Sequence, residues 1–156
     1  MIIYEIPGRE SIEIENVVFD YNGTIAVDGK LIDGVGDLFL ELEKYANIYI
    51  LTADTYGSVV EQCKAIPGKV LTFPKENAGE SKKDIVKKLG KKKTMVVGNG
   101  FNDIPMFEEG ILSIAVIEGE GTSGKLLSQA DIVARNVLEA IDIILSKNKV
   151  KATLRN

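Results

Sequence analysis

The chain has 156 residues, of which 45% are hydrophobic, and it carries 19 Lys and Arg against 23 Asp and Glu, for a net charge of -4. A chain of this length can bury the core of one domain, and its acidic balance argues against a nucleic-acid groove as the main surface. No apolar run approaches the ~20 residues of a membrane-spanning helix, so we expect a cytoplasmic protein without a membrane partner.

The predicted elements begin with a β-hairpin, in which Ile2–Tyr4 and Ile12–Ile14 flank a Pro7-Gly8 turn. Apolar strands and amphipathic helices then alternate to residue 145, and Ser81 is expected to cap the third helix. Strands are predicted at 17–19, 48–51, 70–73, 94–97, 111–117 and 132–133, and helices at 38–45, 59–63, 81–89, 102–109, 123–129 and 137–145.

This alternation predicts an α/β fold, a Rossmann-like, doubly wound and mostly parallel sheet with helices on both faces. No repeat or linker interrupts it, so we expect residues 1–146 to form a single domain. Residues 147–156 are basic, and we expect them to form a peripheral tail.

The chain contains no histidine, which excludes histidine-activated nucleophiles, a histidine general base and histidine-containing zinc or iron sites. Any chemistry must therefore use carboxylates, lysines, hydroxyls, backbone amides or a hard metal ion. Cys63 is the only cysteine, so no intrachain disulfide can form. We expect it to be a small buried hydrophobic residue of the second helix.

Two short polar segments follow directly after predicted strands. The first is Asp20-Tyr21-Asn22-Gly23-Thr24, and the second is Gly98-Asn99-Gly100-Phe101-Asn102-Asp103. Open α/β folds place their chemistry at the carboxyl ends of their strands, which is where both segments lie. A carboxylate in that position, here Asp20, can act as a nucleophile.

Together with Thr52-Ala53-Asp54 and Lys82, these segments resemble the motifs of the haloacid dehalogenase superfamily of phosphoryl-transfer enzymes. The likeness is greatest to the phosphorylation domain of P-type ATPases, which carries Asp-Lys-Thr-Gly-Thr, Thr-Gly-Asp, a Lys at a helix start and Gly-Asp-Gly-x-Asn-Asp-x-Pro. It extends over roughly residues 16–135. Residues 22–52 and 52–82, where this superfamily inserts its cap domains, are too short for one, so the resemblance implies a capless, free-standing protein with an open site.

The resemblance implies a phosphohydrolase that forms an aspartyl phosphate on Asp20 and uses Mg2+ as its cofactor. Thr52 would donate its hydroxyl to the phosphate, and Lys82 would pair with both phosphate and nucleophile, with Lys83 as the competing assignment. The implied phosphate-binding residues, in part through backbone amides of the first turn, are Tyr21, Gly23, Thr24, Ala53 and Asn102. The implied catalytic residues are Asp20, Asn22, Thr52 and Lys82, and the implied magnesium ligands are Asp20, Asn22, Asn99 and Asp103.

Two residues depart from the family pattern. Phosphatases of the superfamily usually have an aspartate where Asn22 stands, and an amide cannot exchange a proton, so we expect slow hydrolysis unless Glu76 or Glu80 substitutes. Asn99 replaces an aspartate at a magnesium ligand position, which predicts weak Mg2+ binding. Asp103 either compensates for the missing charge or is an acidic residue at a helix N-terminus.

These departures leave three functions open. The leading one is a phosphohydrolase that acts best on substrates with good leaving groups, such as acyl or aryl phosphates. The others are a phosphate- or phosphoprotein-binding module without turnover and a regulatory protein whose phosphorylated Asp20 is the signal. An open site admits a phosphorylated small molecule or a phosphoprotein, and it also allows a second copy of the chain to cover it.

Overall fold

The computed structural model describes residues 1–54 and 57–156. The strands in this part are β1 (Ile2–Tyr4), β2 (Ile12–Ile14), β3 (Asn16–Asp20), β4 (Ala26–Val27), β5 (Lys30–Leu31), β6 (Asn47–Thr52), β7 (Lys69–Thr72), β8 (Thr94–Gly98), β9 (Leu112–Val116) and β10 (Ile132–Ala134). The helices are α1 (Val35–Leu42), α2 (Ser58–Cys63), α3 (Ala78–Leu89), α4 (Ile104–Glu109), α5 (Gly124–Gln129), α6 (Val137–Leu145) and α7 (Lys147–Leu154). Short 3-10 turns cover Lys91–Lys93 and Phe101–Asp103.

The central sheet confirms the predicted fold class. Its described strands run in the order β10-β9-β8-β3-β6-β7, and every neighbouring pair is parallel. Strand β3 lies between β6 and β8, so the first polar segment follows the middle of the sheet and the second follows the adjacent strand. The predicted N-terminal hairpin of β1 and β2 is antiparallel, as expected.

Side chains of β3 belong to two hydrophobic clusters on opposite faces of the sheet. Val17 and Phe19 belong to the larger cluster and Val18 to the smaller one, as the alternation of a strand requires. The centre of the Phe19 ring lies 4.8 Å from the centre of the Phe39 ring on α1. Burial on both faces explains why β3 and β8 contain continuous apolar runs at 17–19 and 95–97. Cys63 is buried as predicted, and burial raises the pKa of its thiol to about 11.

The third helix starts earlier than the sequence predicts. Asn77, with a φ of 56°, precedes the first residue of α3, whereas the predicted cap, Ser81, lies inside the helix. Lys82 therefore lies one turn into α3 instead of at its start. Tyr45, the last residue of the helix predicted at 38–45, lies beyond the end of α1 and is 47% exposed.

A second hairpin, formed by β4 and β5, lies directly after the first polar segment. Its turn is Asp28-Gly29, with φ values of 51° and 78°, and Asp-Gly is a favoured sequence for two-residue hairpin turns. In the described residues, the two segments where a cap could be inserted contain this hairpin with α1, and α2 with β7. The expectation of a capless core agrees with this arrangement.

The C-terminal segment is not a loose tail. Residues 147–154 form α7, which packs against β1, and the side chains of Val150 and Leu154 are buried. This differs from the peripheral tail expected from the basic residues of the segment. No described helix combines the length and hydrophobicity that crossing a membrane would require.

Candidate active site

Most of the predicted site residues meet at the carboxyl edge of the sheet, around an open cleft of about 240 Å3, whereas Tyr21, Gly23, Thr24 and Asp103 do not line it. The residues that line this cleft come from the ends of β3, β6, β7 and β8 and from α3. They are Asp20, Asn22, Thr52, Ala53, Phe73, Ala78, Lys82, Asn99, Gly100 and Asn102.

Lys82 is the cation at the centre of the site. Its Nζ lies 3.1 Å from Asp20 Oδ1 and donates hydrogen bonds of 2.8 Å to Asp103 Oδ1 and to Asn102 Oδ1. An ammonium group has three N–H donors, and these three oxygens occupy all of them. The side chain of Lys83 is only partly buried and does not line the cleft. The structure therefore brings Lys82, and not Lys83, to Asp20.

Phe73 borders Lys82 on the side of β7. The centre of its ring lies 5.8 Å from Lys82 Nζ, within the range of a cation–π contact. Sequence reasoning missed this residue, although it is the last residue of the strand predicted at 70–73 and directly follows the observed β7. The ring helps to exclude water from the ammonium group, since Lys82 is only 2% exposed.

Burial shifts the pKa values of both partners of the ion pair, Asp20 and Lys82. Desolvation and the nearby charge of Asp103 raise the pKa of Asp20 to about 7, although Lys82 acts in the opposite direction. Burial lowers the pKa of the Lys82 ammonium, but Asp20 and Asp103 more than offset this, and its pKa is above the ordinary value. Lys82 is therefore a fixed positive charge, whereas the charge of Asp20 is costly to the folded state.

We expect Asp20→Asn to stabilise the metal-free protein. The pKa of Asp20 rises from 3.8 in the unfolded chain to about 7 in the folded one, so wild-type stability falls as the pH rises across this interval. A neutral amide avoids that loss. The melting temperature of the variant should exceed that of the wild type by several degrees at pH 8 in EDTA, and by less at pH 5. A difference in melting temperature that does not grow with pH would contradict the expectation that the charge of Asp20 destabilises the folded protein.

Asp103 anchors the second polar segment from behind the cleft. Its Oδ2 accepts hydrogen bonds from the backbone amides of Asn99 at 3.0 Å and Gly100 at 2.9 Å, while Oδ1 accepts from Lys82. The side chain is fully buried and does not line the cleft. A Cβ at Gly98 would lie 2.5 Å from Asp103 Oδ2, which explains the glycine. With both oxygens engaged, Asp103 fits an anchoring role better than its predicted role as a magnesium ligand.

Asn99 connects the two polar segments. Its Oδ1 accepts a 3.2 Å hydrogen bond from the Thr24 hydroxyl, and its Nδ2 donates a 3.1 Å bond to the carbonyl of Gly121. A Cβ on Gly23, which has a φ of 76°, would lie 2.2 Å from Asn99 Nδ2. Gly23 is thus required for the close approach of the asparagine, in addition to its backbone conformation.

Most amides of the first turn are not available to a phosphate. The amide of Tyr21 donates to the Leu51 carbonyl, that of Gly23 to Ala26 and that of Thr24 to Tyr21. This corrects the expectation that Tyr21, Gly23 and Thr24 offer their amides to the ligand. The amide of Asn22 makes no hydrogen bond to another described residue, and Asn22 lines the cleft.

Thr52 is placed to donate a hydrogen bond into the cleft. Its Oγ1 accepts from the amide of Asp54 at 3.1 Å, which leaves the hydroxyl proton for another acceptor. Asp54 in turn accepts from the amide of Val59 at 3.0 Å and from the Ser58 hydroxyl at 2.7 Å, at the start of α2. Asp54, the third residue of the Thr52-Ala53-Asp54 motif, therefore connects the end of β6 to the start of α2.

The donor set of the cleft suits a weakly held magnesium ion. Among the described residues, no group of three or more His, Cys, Asp or Glu could hold a metal. Asp20 has a second carboxylate oxygen beyond the one nearest Lys82, and Asn22 and Asn99 line the same cleft. Mg2+ in proteins is often held by one or two carboxylates together with waters and substrate phosphate, so these residues fit such an ion.

Comparisons with known proteins identify the family of the chain. Residues 4–110 match the family model of haloacid dehalogenase-like hydrolases. A soluble P-type ATPase-like phosphatase of Methanocaldococcus jannaschii is 28% identical over 123 residues, which are 77% of this chain and 45% of that protein. An uncharacterized protein of the same organism is 38% identical over 65 residues, which are 42% of this chain and 70% of that protein. The chain thus spans less than half of the named phosphatase.

Solved structures share the fold. The cobalt-bound deoxy-D-mannose-octulosonate 8-phosphate phosphatase of Haemophilus influenzae superposes with a TM-score of 0.70 at 15% identity, covering 91% of each chain. The 3-deoxy-D-manno-octulosonate 8-phosphate phosphatase of Moraxella catarrhalis, in complex with magnesium, phosphate and KDO, gives a TM-score of 0.66 at 18% identity. That match covers 90% of this chain and 89% of the other.

Proposed function

This chain belongs to the haloacid dehalogenase-like hydrolase family, and from that membership we propose a Mg2+-dependent phosphohydrolase that works through an aspartyl phosphate on Asp20. The observation that carries the proposal is the position of Asp20 in the cleft, 3.1 Å from the buried Lys82 ammonium. Phosphoryl transfer needs a nucleophile next to a preorganised cation, and the pair supplies both.

In the first half of the reaction, a carboxylate oxygen of Asp20 attacks phosphorus and the bond to the leaving-group oxygen breaks. The Thr52 hydroxyl and the amide of Asn22 hold the phosphoryl oxygens, and the Lys82 ammonium, whose three donors are already engaged, stabilises their negative charge from its place beside Asp20. A Mg2+ ion bound by Asp20, Asn22 and Asn99 would neutralise negative charge on the phosphoryl group. The leaving group takes its proton from solvent, because the Asn22 amide is too weak an acid to supply one.

In the second half, water attacks the aspartyl phosphate and Asp20 is the leaving group. Apart from Asp20 itself, no carboxylate of the described residues lines the cleft, and Glu76 and Glu80 are exposed outside it. The water therefore lacks a general base, and we expect hydrolysis to be slow. The same observation favours a second function, in which phosphorylated Asp20 persists long enough to act as a signal.

The substrate we propose is a phosphorylated small molecule, since the cleft has room for a phosphoryl group and part of its leaving group. The two similar solved structures are named for a sugar-derived 8-phosphate, which is a phosphorylated small molecule. A phosphoprotein is the alternative that an open, capless cleft also admits.

A time course with p-nitrophenyl phosphate and MgCl2 tests the proposal. Linear release of many equivalents of p-nitrophenol would support a phosphohydrolase. A burst of one equivalent followed by a halt would favour the long-lived phosphoaspartate, and acid quenching should then recover the phosphate on Asp20. Absence of both the burst and the turnover would overturn the proposal in favour of a binding module.

We expect Asn22→Asp to speed the hydrolysis of alkyl phosphates more than that of p-nitrophenyl phosphate. The carboxyl group can protonate an alkoxide and later activate water, whereas p-nitrophenolate scarcely needs a proton. The gain should approach ~10²-fold, the lower end of general acid–base catalysis. The measurement is the ratio of kcat/KM for the two substrates, with Glu76→Gln as the matched control. An unchanged ratio would show that residue 22 is not the acid–base position.

A further inference from the structure

Gln62, an exposed residue of α2, binds the backbone of the β4–β5 hairpin with both polar atoms of its side chain. Its Nε2 donates a 2.7 Å hydrogen bond to the Gly29 carbonyl, and its Oε1 accepts a 3.3 Å bond from the Leu31 amide. A carboxamide has the donor and the acceptor that these two backbone groups need. It therefore takes the place that the backbone of a neighbouring strand would take at this edge of the hairpin.

The same carboxamide contacts Tyr21, the residue that follows Asp20. The Tyr21 hydroxyl lies 3.0 Å from Gln62 Oε1 and 3.0 Å from the Gly29 carbonyl, and its single proton is shared between these two acceptors. Tyr21 is only 1% exposed, and its own carbonyl accepts a 3.0 Å hydrogen bond from the amide of Ala26 in β4. The side chain and the backbone of Tyr21 are therefore both tied to the hairpin, and the position of the hairpin affects that of Asp20.

Helix α2 is also attached to the loop that carries Thr52. The Asp54 carboxylate accepts a 2.7 Å hydrogen bond from the Ser58 hydroxyl, and the Asp54 amide donates a 3.1 Å bond to Thr52 Oγ1. Gln62 lies about one helical turn beyond Ser58. Helix α2 therefore connects two parts of the cleft, the Thr52 loop at its first turn and, through Gln62 and Tyr21, the turn that carries the proposed nucleophile.

We propose that Gln62 is a positioning residue, which fixes the Asp20 turn relative to the Thr52 loop. It touches no reacting atom, since it does not line the cleft. A remote substitution that misplaces a reacting group by about 1 Å can cost ~10²-fold in rate, so we expect these contacts to affect the chemical step. The inference rests on the proposed function for the reaction that is positioned, whereas the contacts of helix, hairpin and turn do not depend on it.

Single-turnover kinetics of Gln62→Met test this role, because methionine has a similar length and cannot replace the carboxamide as donor and acceptor. Enzyme is in excess over p-nitrophenyl phosphate, with saturating MgCl2. The maximal rate of p-nitrophenol release should fall about tenfold, whereas the enzyme concentration that gives half of this rate should change by less than about twofold. Gln129→Met is the matched control, since Gln129 is the other glutamine of the chain and is exposed on α5, outside the cleft. It should keep both wild-type values.

A residue that only supports stability would lower the melting temperature and leave the single-turnover rate of the folded variant unchanged. That result would overturn the inference, and so would a loss confined to the half-maximal concentration, because Gln62 would then act on binding. Gln62→Ala removes the same hydrogen bonds and should give the same loss of rate. A wild-type rate in this second variant would show that the introduced methionine, and not the missing carboxamide, caused the loss, and the inference would fail.

Amide hydrogen exchange followed by NMR tests the coupling without turnover. The Leu31 amide loses its partner in Gln62→Met and should exchange faster than in the wild type. The inference also requires faster exchange at the amides of Tyr21 and Gly23, which are hydrogen-bonded to β6 and within the first turn. Unchanged exchange at these two amides would overturn it. Faster exchange there, in a protein whose wild type never releases p-nitrophenol, would contradict the proposed function and leave the positioning of the turn by Gln62 standing.

Discussion

Asp20→Asn should abolish turnover of p-nitrophenyl phosphate, because an amide cannot serve as the nucleophile that forms an aspartyl phosphate. The substitution is isosteric, and Lys82 retains its hydrogen bonds to Asp103 and Asn102. We therefore expect a protein that is folded, melts at a higher temperature than the wild type at pH 8, and is inactive. Such a combination separates loss of chemistry from loss of structure.

The measurement is the rate of p-nitrophenol release beside a melting curve on the same preparation. Asp20→Ala serves as a second variant, since deamidation of an introduced amide could regenerate the wild-type carboxylate. Retention of the wild-type rate in both variants would remove the proposed mechanism altogether. A lower melting temperature for Asp20→Asn would contradict the assignment of Asp20 as a costly buried charge.

The strands and the general position of the site could be predicted because they depend on local sequence. Continuous apolar runs such as 17–19 and 94–97 are typical of strands buried on both faces, and polar segments after them must lie at one edge. The second hairpin was not predicted, because strands of two residues are too short to show a periodic pattern of apolar side chains. Its Asp28-Gly29 turn was the signal available.

Details of the site depend on contacts that no linear pattern encodes. The amides of Tyr21, Gly23 and Thr24 were expected to face a ligand, but the turn uses them to close on its own carbonyls and on β6. The sequence predicts Asp103 as a metal ligand. In the structure, both of its carboxylate oxygens accept hydrogen bonds, from the backbone amides of Asn99 and Gly100 and from Lys82. Which hydrogen-bond partner each of these amides and carboxylates takes depends on the tertiary structure.

The C-terminal helix illustrates the opposite case, in which a signal was present. Val150 and Leu154 are spaced four residues apart, which places them on the same face of a helix, and both are buried. The four basic residues of 147–156 predict a peripheral segment, whereas this pair indicates one buried helical face. Two apolar residues at helical spacing were enough to dock the segment against β1.

Lys82→Ala should lower kcat/KM by ~10²-fold or more, because it removes the preorganised cation at the point where phosphoryl charge develops. Lys83→Ala is the matched control, since that side chain lies one residue away and does not line the cleft. We expect its rate to equal that of the wild type. A larger loss from Lys83→Ala would show that the assignment of the catalytic lysine is wrong.

A double-mutant cycle separates the catalytic role of Lys82 from its structural one. Without the lysine, Asp20 and Asp103 remain buried and mutually repulsive, so Lys82→Ala should lower the melting temperature more at pH 8 than at pH 5. Combining it with Asp20→Asn removes one of the two carboxylates, and the stability loss caused by Lys82→Ala should shrink in that background. The loss of activity should instead persist at both pH values in Lys82→Ala with Asp20 intact. Equal stability losses in the two backgrounds would mean that Lys82 is held by Asp103 alone, and that its contact with Asp20 contributes nothing to the folded state.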